Sequence, residues 1–374
     1  MSKPCHIVHL VYRFAAGGLE NVLVQLINGL PHAEFRHTII ALTEADASFM
    51  QRIERNDVEI ISLHKKPGQP FALYPAMYRL LRRLQPDVMH SCNLAALEFM
   101  PVAALAGVPR RIHAEHGWDV SDPDGSNRKY RLLRRLYKHF VHEFIVVSAQ
   151  LQHYLAQVIG VPAAHLHFIE NGVDTERFRP RRVDEALPEA YPFGPKDWVI
   201  GSVGRLEPIK NQQLLVEAFI RLKQLRPQDK SLRLVMVGAG PLAASLMAQI
   251  EAAGLSKDCW LPGARGDIPQ ILRQLSCFVL PSLAEGTSCT LQEALATELP
   301  IVATEVGGNA AVLEGSAGVL VPSADVNAMA AALLGMREHP PLALHLAQQR
   351  STTTARYGLR SVLQRYQALF KGGA

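Results

Sequence analysis

The segment from Cys277 to Glu293 reads CFVLPSLAEGTSCTLQE and shows the structural pattern of the chain most clearly. Its four apolar residues at the start are typical of a strand that is buried on both faces of a parallel sheet. A turn rich in proline, glycine and hydroxyl residues follows, and the apolar spacing after it predicts a helix near Thr290–Thr297. A strand, a short loop and a helix in this order predict an open α/β sheet.

The same alternation of short apolar runs and amphipathic stretches extends over most of the chain. It predicts two open, doubly wound parallel sheets, one in each half. The strands are predicted at His6–Val11, Thr38–Leu42, Val58–Leu63, Val88–Ser91, Arg111–Ala114, Phe144–Ser148, Val199–Val203, Leu232–Val237, Cys277–Leu280 and Ile301–Thr304. Helices are predicted near Glu20–Leu30, Tyr74–Leu84, Leu94–Ala106, Gln212–Leu225 and Leu242–Ala253.

The periodic pattern breaks between the two halves, where prolines from Pro180 to Pro195 interrupt it. This predicts an N-terminal Rossmann-like domain, a linker, a second Rossmann-like domain and a C-terminal helix, over residues 1–180, 181–195, 196–355 and 356–374. Open sheets bind ligands beyond the carboxyl ends of their strands, so we expect the two domains to face each other across a cleft.

Composition excludes several classes of protein. With 48% hydrophobic and 20% charged residues among 374, the chain is globular, and no apolar run has the roughly 20 residues that span a bilayer. The net charge of +5 is spread over both halves and gives no support to nucleic-acid binding. Five cysteines without a CxxC motif predict free thiols in a reducing cytoplasm and no structural zinc.

Unusual residues follow two strands of the first half. The pair Gly17 and Gly18 would let a ligand approach the backbone closely at a helix start, although a tight turn alone would also need two glycines. The pair is not GxGxxG, so a dinucleotide site is not expected. His116 follows the strand that ends at Glu115 and is well placed to touch a ligand; among fifteen histidines, a single one is more often structural.

Two loops of the second half carry the clearest signals. Gly204, Arg205 and Lys210 follow its first strand, and the two cations at a helix entrance suit a diphosphate; solvated loop cations are the rival interpretation. The second loop opens a helix whose amide groups suit phosphate oxygens. Glu285, in this loop, could bind sugar hydroxyls, and Glu293, one turn inside the helix, could bind the hydroxyls of a ribose. The candidate residues of the loop and helix are Glu285, Gly286, Thr287, Ser288 and Glu293.

These segments, together with Asn171–Asp174, stand in an order that resembles the retaining glycosyltransferases of the two-domain GT-B type, family 4. The resemblance covers essentially the whole chain. The segment that starts at Gly17 is also similar to sugar transferases of bacterial exopolysaccharide clusters. Relatives often have Glu-Gly-Phe-Gly where this chain has Thr287 and Ser288 after Glu285-Gly286, which leaves the identity of the donor open.

The resemblance implies a role for each matching residue. Arg205 and Lys210 match the pair that neutralises the donor diphosphate, Glu293 the glutamate that binds ribose, and Glu285 the one that contacts the donor sugar. In the N-terminal, acceptor-binding domain, Gly18 matches a loop near the diphosphate. His116 matches a histidine close to the transferring sugar.

The family also implies a C-terminal donor domain and a last helix, here Leu359–Phe370, that crosses back to the first domain. In such enzymes fixed cations of the protein replace a metal ion, so no cofactor is expected. The one Asp-x-Asp segment, Asp122-Pro123-Asp124, is interpreted as a turn and not as a metal site. The predicted function is therefore metal-independent, retaining transfer of a sugar from a nucleotide sugar to a glycan or lipid-linked acceptor. A nucleotide-sugar epimerase, a phosphorylase and a catalytically silent binding protein are the alternatives.

Residues 128–140 carry six basic and no acidic residues between Arg128 and Lys138, with apolar positions at helical spacing. Such a helix can lie on anionic lipid, which would suit a lipid-linked acceptor on the inner face of the plasma membrane. An ordinary helix that packs its apolar side on the sheet is the other interpretation.

Overall fold

The computed structural model describes residues 3–68, 70–118, 122, 125–183 and 185–372. The chain divides into two compact units, of which the first comprises Met1–Gly172 with Leu359–Ala374 and the second Val173–Gly358. Residues predicted to form the linker lie within the second unit, where Phe193 is buried in the hydrophobic core. No helix among the described residues is long and apolar enough to cross a bilayer.

The first unit contains a seven-stranded parallel sheet in the order β3-β2-β1-β4-β5-β6-β7. Its strands are β1 (Cys5–Val11), β2 (Phe35–Ala41), β3 (Glu59–Ser62), β4 (Val88–Cys92), β5 (Arg110–Glu115), β6 (Glu143–Val146) and β7 (Leu166–Phe168). Its helices, numbered in chain order, are α1 (Gly18–Gly29), α2 (Ala47–Met50), α3 (Tyr74–Leu84), α4 (Asn93–Leu97), α5 (Met100–Leu105), α6 (Arg128–Tyr137), α7 (Ala149–His153) and the C-terminal α15 (Leu359–Lys371).

The two faces of this sheet are covered by different helices. On one face, α1 packs with α15, whose buried residues include Tyr366 and Phe370. On the other face, α3 and α5 pack with the partly buried Leu133 and Tyr137 of α6. Because both faces are buried, the central strands are nearly continuous apolar runs, and this is why the sequence reveals them.

The second unit contains a six-stranded parallel sheet in the order β10-β9-β8-β11-β12-β13. Its strands are β8 (Trp198–Val203), β9 (Leu232–Val237), β10 (Cys259–Gly263), β11 (Cys277–Leu280), β12 (Ile301–Thr304) and β13 (Val319–Val321). Its helices are α8 (Gln212–Leu225), α9 (Ala243–Ala252), α10 (Ile268–Leu272), α11 (Cys289–Ala296), α12 (Asn309–Leu313), α13 (Val326–Glu338) and α14 (Ala343–Tyr357).

The predicted fold class, two open parallel α/β sheets, is confirmed. One predicted helix is wrong in detail, because Leu94–Ala106 is split into α4 and α5. Pro101 lies in the first turn of α5 and has no N–H to donate to the carbonyl of Leu97, so the first helix ends there.

Each sheet has one point where the strand order reverses, between β1 and β4 in the first unit and between β8 and β11 in the second. The loops after these strand pairs diverge and leave a crevice at the carboxyl edge, which is where open sheets bind ligands. The loops predicted to carry function follow β1, β5, β8 and β11.

Candidate functional site

The loops after β8 and β11 meet at the reversal point of the second sheet. The N–H of Leu283 donates to the carbonyl of Ile209 over 2.8 Å. The Nζ of Lys210 donates to the Oε1 of Glu285 over 2.6 Å, although the two residues are 75 positions apart. The structure therefore brings together two of the residues that the sequence singles out.

The carboxylate of Glu285 is held from two sides. Its Oε1 accepts a second hydrogen bond, over 2.6 Å, from the hydroxyl of the buried Ser282. The side chain of Glu285 is only 7% exposed and that of Lys210 is 23% exposed, so the positive charge compensates a carboxylate that is largely removed from water. The contacts of the described residues leave the second oxygen of Glu285 available to a ligand hydroxyl.

Arg205 is not drawn into this contact. Its NH1 donates to the Oε1 of Glu207 over 2.8 Å, and its side chain is 53% exposed. The loop backbone is nevertheless fixed, because the side-chain amide of Gln212 donates to the Arg205 carbonyl over 2.9 Å. An exposed side chain on a fixed loop can turn toward an anion without a change in the backbone.

The helix α11 begins directly after this loop. The hydroxyl of Ser288 caps it by accepting the N–H of Leu291 over 3.4 Å, so this side chain is used within the protein. The cap leaves the amide groups of the first turn and the helix dipole directed to the loop. Glu293 lies one turn further on and is partly exposed beside the buried Leu291 and Ala294.

Two supporting loops were missed in the sequence. A Cβ atom at Gly307, where φ is +54°, would lie 1.7 Å from the carbonyl oxygen of Glu285. A Cβ atom at Gly238 would lie 1.8 Å from the carbonyl oxygen of Gly204. Glycine is therefore required behind both functional loops. The available signal was a glycine directly or shortly after a strand, at Gly238 after β9 and at Gly307 after β12.

The predicted residues of the first unit lie at the carboxyl edge of its sheet. Gly17 and Gly18 form the start of α1, and a Cβ atom at Gly17 would lie 2.2 Å from a carboxylate oxygen of Glu20. The backbone N–H of His116, after β5, donates to the side chain of Asn93, after β4, over 2.8 Å. These contacts place Gly18 and His116 on the loops that follow β1 and β5.

The imidazole of His116 is uncharged at neutral pH. Burial of the ring, together with the nearby His113, lowers its pKa to about 4. Neither ring nitrogen has a partner of good hydrogen-bond geometry among the described residues, although the side chain of Asn171 lies close enough to raise the pKa. A neutral, buried imidazole of this kind can donate one hydrogen bond to a ligand and accept another.

A buried ion pair lies beneath the His116 loop. The Nε of Arg134, on α6, donates to the Oε1 of Glu115, at the end of β5, over 2.7 Å. Their side chains are 4% and 1% exposed. Burial raises the pKa of Glu115, but Arg134 and His113 together lower it by more, to about 2. Arg134 is thus part of the core and not of the basic surface predicted for residues 128–140.

A row of buried histidines crosses the first sheet and was not predicted. The Nε2 of His9 lies 3.0 Å from the Nδ1 of His37, and its Nδ1 lies 3.0 Å from the Nδ1 of His90. All three side chains are fully buried. The sequence contains a signal for this row, because each histidine stands within an apolar run at a core-facing position of a predicted or observed strand.

We expect the first unit to lose stability in acid. Burial, helped by Arg36, lowers the pKa of His6 to about 4, and burial, helped by Arg55, lowers that of His37 to about 3. Below the unfolded value of 6.5 the unfolded chain binds protons that the folded unit does not. Each histidine therefore lowers the free energy of unfolding by up to about 1.4 kcal/mol per pH unit as the pH falls from 6.5 toward 4.

Amide hydrogen exchange at pH 7, 6 and 5, corrected for the intrinsic rates, measures this effect in each unit separately. The second unit is the internal control, because its histidines, His339 and His345, are both exposed. Protection should fall first in strands β1 and β2. Equal loss of protection in both units would contradict the assignment.

The sequence predicts no metal ligands, because Asp122-Pro123-Asp124 is interpreted as a turn. Pro123 and Asp124 of this segment lie outside the described residues. Elsewhere one group has suitable ligand atoms: those of His90, Cys92 and His116 all lie within 4.8 Å of one another. His90 and Cys92 are two residues apart on β4 and point to the same face of the sheet.

Two family models match the chain. The model described as Glycosyltransferase Family 4 matches residues 16–177, and the one described as Glycosyl transferases group 1 matches residues 197–339. Among curated proteins, the chain is 30% identical over 321 residues to the UDP-Gal:α-D-GlcNAc-diphosphoundecaprenol α-1,3-galactosyltransferase of Escherichia coli, covering 81% of this chain and 80% of that protein. It is 24% identical over 320 residues, with the same coverage, to the putative glycosyltransferase EpsF of Bacillus subtilis.

Solved structures with the same fold cover nearly all of the chain. The Anabaena protein HepE, crystallised with UDP and glucose, matches with a TM-score of 0.76 and 19% identity over 98% of this chain and all of that one. WaaG, a glycosyltransferase involved in lipopolysaccharide biosynthesis, matches with a TM-score of 0.76 and 14% identity, again over 98% and 100% of the two chains. These similarities establish the GT-B fold.

Proposed function

Because the chain belongs to glycosyltransferase family 4 and has the GT-B fold, we propose that it is a retaining, metal-independent enzyme that moves a sugar from a uridine diphosphate sugar to a lipid-linked acceptor. Such a step belongs to the synthesis of a bacterial cell-surface polysaccharide. The observation that carries the proposal is the contact of Lys210 with Glu285 at the start of α11.

This contact supplies the chemistry that cleavage of a sugar–phosphate bond requires. As the bond breaks, negative charge develops on the departing diphosphate and positive charge on the sugar. The ammonium of Lys210 and the amides of the first turn of α11 would stabilise the diphosphate. The carboxylate of Glu285, fixed by Lys210 and Ser282, would bind a hydroxyl of the sugar.

Arg205 is the second cation of the proposed donor site. Its ion pair with Glu207 is exposed, and exposed pairs contribute little free energy, so the guanidinium can leave Glu207 at small cost. A diphosphate bound beside Lys210 would offer it two oxygens for a bidentate contact. With two protein cations and a helix N-terminus at the phosphates, no divalent ion is needed for charge neutralisation.

Retention would follow from attack on the face that the diphosphate leaves. A phosphate oxygen can then take the proton of the acceptor hydroxyl, so no protein carboxylate has to act as a nucleophile. We assign to His116 a hydrogen bond to the transferring sugar, consistent with its low pKa and with ring nitrogens that have no hydrogen bond of good geometry among the described residues.

The choice of donor and acceptor rests on named relatives. The E. coli relative uses UDP-galactose and an acceptor linked to diphosphoundecaprenol, as its name states, and HepE was crystallised with UDP-glucose. Thr287 and Ser288, in place of the aromatic residue and glycine of many family members, leave the donor sugar itself to be identified by experiment.

A thermal-shift panel of UDP, GDP, ADP and CMP, each with EDTA, tests the donor site directly. A ligand that binds only the folded state raises the melting temperature, and one present at 100 times its dissociation constant adds about 2.7 kcal/mol. We expect a shift with UDP alone. No shift with any nucleotide would reject the donor site. A shift that requires Mg²⁺ would reject metal independence.

Replacing Glu293 by alanine should weaken UDP binding about 10- to 100-fold, because a hydrogen bond to a charged group contributes about 1.5–3 kcal/mol. Calorimetric titration with UDP measures the loss. The matched control is Glu251→Ala, an exposed glutamate on α9. Unchanged UDP affinity in Glu293→Ala would remove this residue from the ribose.

We also propose that the exposed face of α6 binds anionic lipid. The apolar residues of the helix divide into two groups: Leu133 and Tyr137 pack on the sheet, whereas Leu132 and Leu136 are 65% and 55% exposed. The exposed residues Arg128, Lys129 and Arg135 lie on α6 as well. Neighbouring leucines among cations are the pattern of a helix that lies in a membrane interface.

The double variant Leu132→Ser/Leu136→Ser should bind vesicles of phosphatidylcholine and phosphatidylglycerol at least 10-fold more weakly, because each buried leucine contributes about 1.5 kcal/mol or more. Co-sedimentation measures the binding. Met247→Ser is the control, since Met247 is 58% exposed in the second unit. Equal binding of both variants would leave α6 as an ordinary surface helix.

A further inference from the structure

We propose that His90, Cys92 and His116 form a binding site for one thiophilic cation of the Zn²⁺ class. This site is independent of the donor loops and of any metal requirement of the transfer reaction. The ligand set, two imidazoles and one thiol, is the set that Zn²⁺, Cd²⁺ and Cu⁺ prefer over Mg²⁺ or Ca²⁺.

The geometry is close to what such an ion needs. The Nε2 of His90 lies 3.9 Å from the Sγ of Cys92, and all three ligand atoms lie within 4.8 Å of one another. Metal–nitrogen and metal–sulfur bonds of about 2.0 and 2.3 Å in a tetrahedron separate their ligand atoms by about 3.5 Å. Small rotations about side-chain bonds bring the three atoms to these distances.

A second observation also points to a ligand. Both ring nitrogens of His116 are buried, and neither has a hydrogen-bond partner of good geometry within the described part of the chain, although the side chain of Asn171 lies close to the ring. Leaving a buried polar atom without a partner is costly, and native proteins rarely do so. Coordination of a cation by one of these nitrogens satisfies it.

The surroundings favour a positive charge. The negatively charged carboxylates of Glu20 and Glu115 interact electrostatically with the side chain of Cys92. The same two carboxylates attract a cation at the sulfur. When the metal–sulfur bond forms, the S–H bond breaks and its proton passes to solvent, so the site gains one positive charge for each divalent ion.

The row of histidines orients the first ligand. If the Nε2 of His90 binds the ion, its proton must be on Nδ1, which lies 3.0 Å from the Nδ1 of His9. His9 then accepts this proton's hydrogen bond and donates from Nε2 to His37. A ligating histidine whose other nitrogen is held in this way has a fixed tautomer and ring orientation, as in known zinc sites.

An ion at this site would inhibit sugar transfer. The ion would bind a ring nitrogen of His116, the side chain that we assign to the transferring sugar. This inhibition rests on the proposed function, whereas the binding of the ion does not. The structure therefore predicts a transferase that needs no metal and is inhibited by thiophilic ions.

The test is a titration of the purified, metal-free chain with Cd²⁺, whose bond to a thiolate produces a charge-transfer band in the ultraviolet. We expect one equivalent to saturate a band that Zn²⁺ removes by competition and Mg²⁺ does not. Cys92→Ala should weaken this binding at least 100-fold. The matched control is Cys277→Ala, which removes an equally buried free thiol from β11 of the second unit and should retain the band.

A third variant, His116→Gln, keeps every thiol and should weaken Cd²⁺ binding about 10-fold, so the site remains testable if Cys92→Ala folds poorly. A saturable band that persists in Cys92→Ala, or no band in the parent protein, would overturn the site. The ratio of transfer rates with and without Zn²⁺ is then measured for the parent, for Cys277→Ala, which should stay sensitive, and for Cys92→Ala, which should lose most of the inhibition. Binding of one ion without inhibition would uphold the site and separate it from the proposed role of His116.

Discussion

Replacing Lys210 by alanine should lower the turnover number for sugar transfer about 100- to 1000-fold. This is the usual loss, about 2.7–4 kcal/mol, when one preorganised group that stabilises charge in a transition state is removed. The loss should exceed that of Arg205→Ala, because Lys210 is already fixed on Glu285 at 2.6 Å, whereas Arg205 must first leave Glu207. Initial rates with a saturating UDP-sugar donor measure it.

The matched control is Lys223→Ala. Lys223, on α8 of the same unit, also forms an ion pair, with Asp258 over 2.9 Å, but it is not on a loop at the carboxyl edge of the sheet. Its replacement should change the melting temperature about as much as Lys210→Ala and leave the turnover number within a factor of two. If both variants lose activity equally, the charge of Lys210 has no specific role in the reaction.

The sequence reveals the central strands more readily than the edge strands. Strands such as β8, β11 and β12 are covered on both faces and read as short apolar runs, so their bounds are predicted to within about a residue. The unpredicted strands β7, β10 and β13 lie at sheet edges. They are short or only partly buried, and such segments lack the apolar signal that full burial requires.

The sequence also reveals only part of the candidate site. A polar loop after a strand is visible in sequence, and the order of such loops indicated the family. Which side chains meet is not visible, because the contact of Lys210 with Glu285 depends on the adjacency of β8 and β11 in the sheet. The roles of Gly238 and Gly307 are hidden for the same reason, since each is required only by the loop that packs against it.

Helix α6 illustrates what periodicity alone leaves open. Its charged and apolar residues are consistent with both a packed helix and a lipid-binding helix, and the structure divides them between the two faces. Arg134 faces inward and Arg135 is exposed, although they are neighbours in a run of basic residues. The inward position could be recognised only with knowledge that Glu115, at the end of β5, lies opposite.

The buried pair of Arg134 with Glu115 is expected to contribute strongly to the stability of the first unit. Arg134→Ala should lower the free energy of unfolding of the first unit by about 3–5 kcal/mol, because it leaves the carboxylate of Glu115 buried without its cation. Arg135→Ala, the neighbouring control, removes an exposed guanidinium that donates to the carbonyl of Val158 and should cost about 1 kcal/mol or less. Hydrogen exchange of β5 and β6 measures both values.

The double variant Arg134→Met/Glu115→Gln decides whether the cost comes from lost attraction or from the stranded charge. Desolvation of two ions offsets much of their attraction, so removing both charges should restore most of the stability that Arg134→Ala loses. If the double variant is as unstable as Arg134→Ala, the penalty arises from lost packing, for example of the guanidinium against the ring of Tyr154 at 5.7 Å. Recovery would instead show that the penalty of Arg134→Ala comes from the buried, unpaired charge of Glu115.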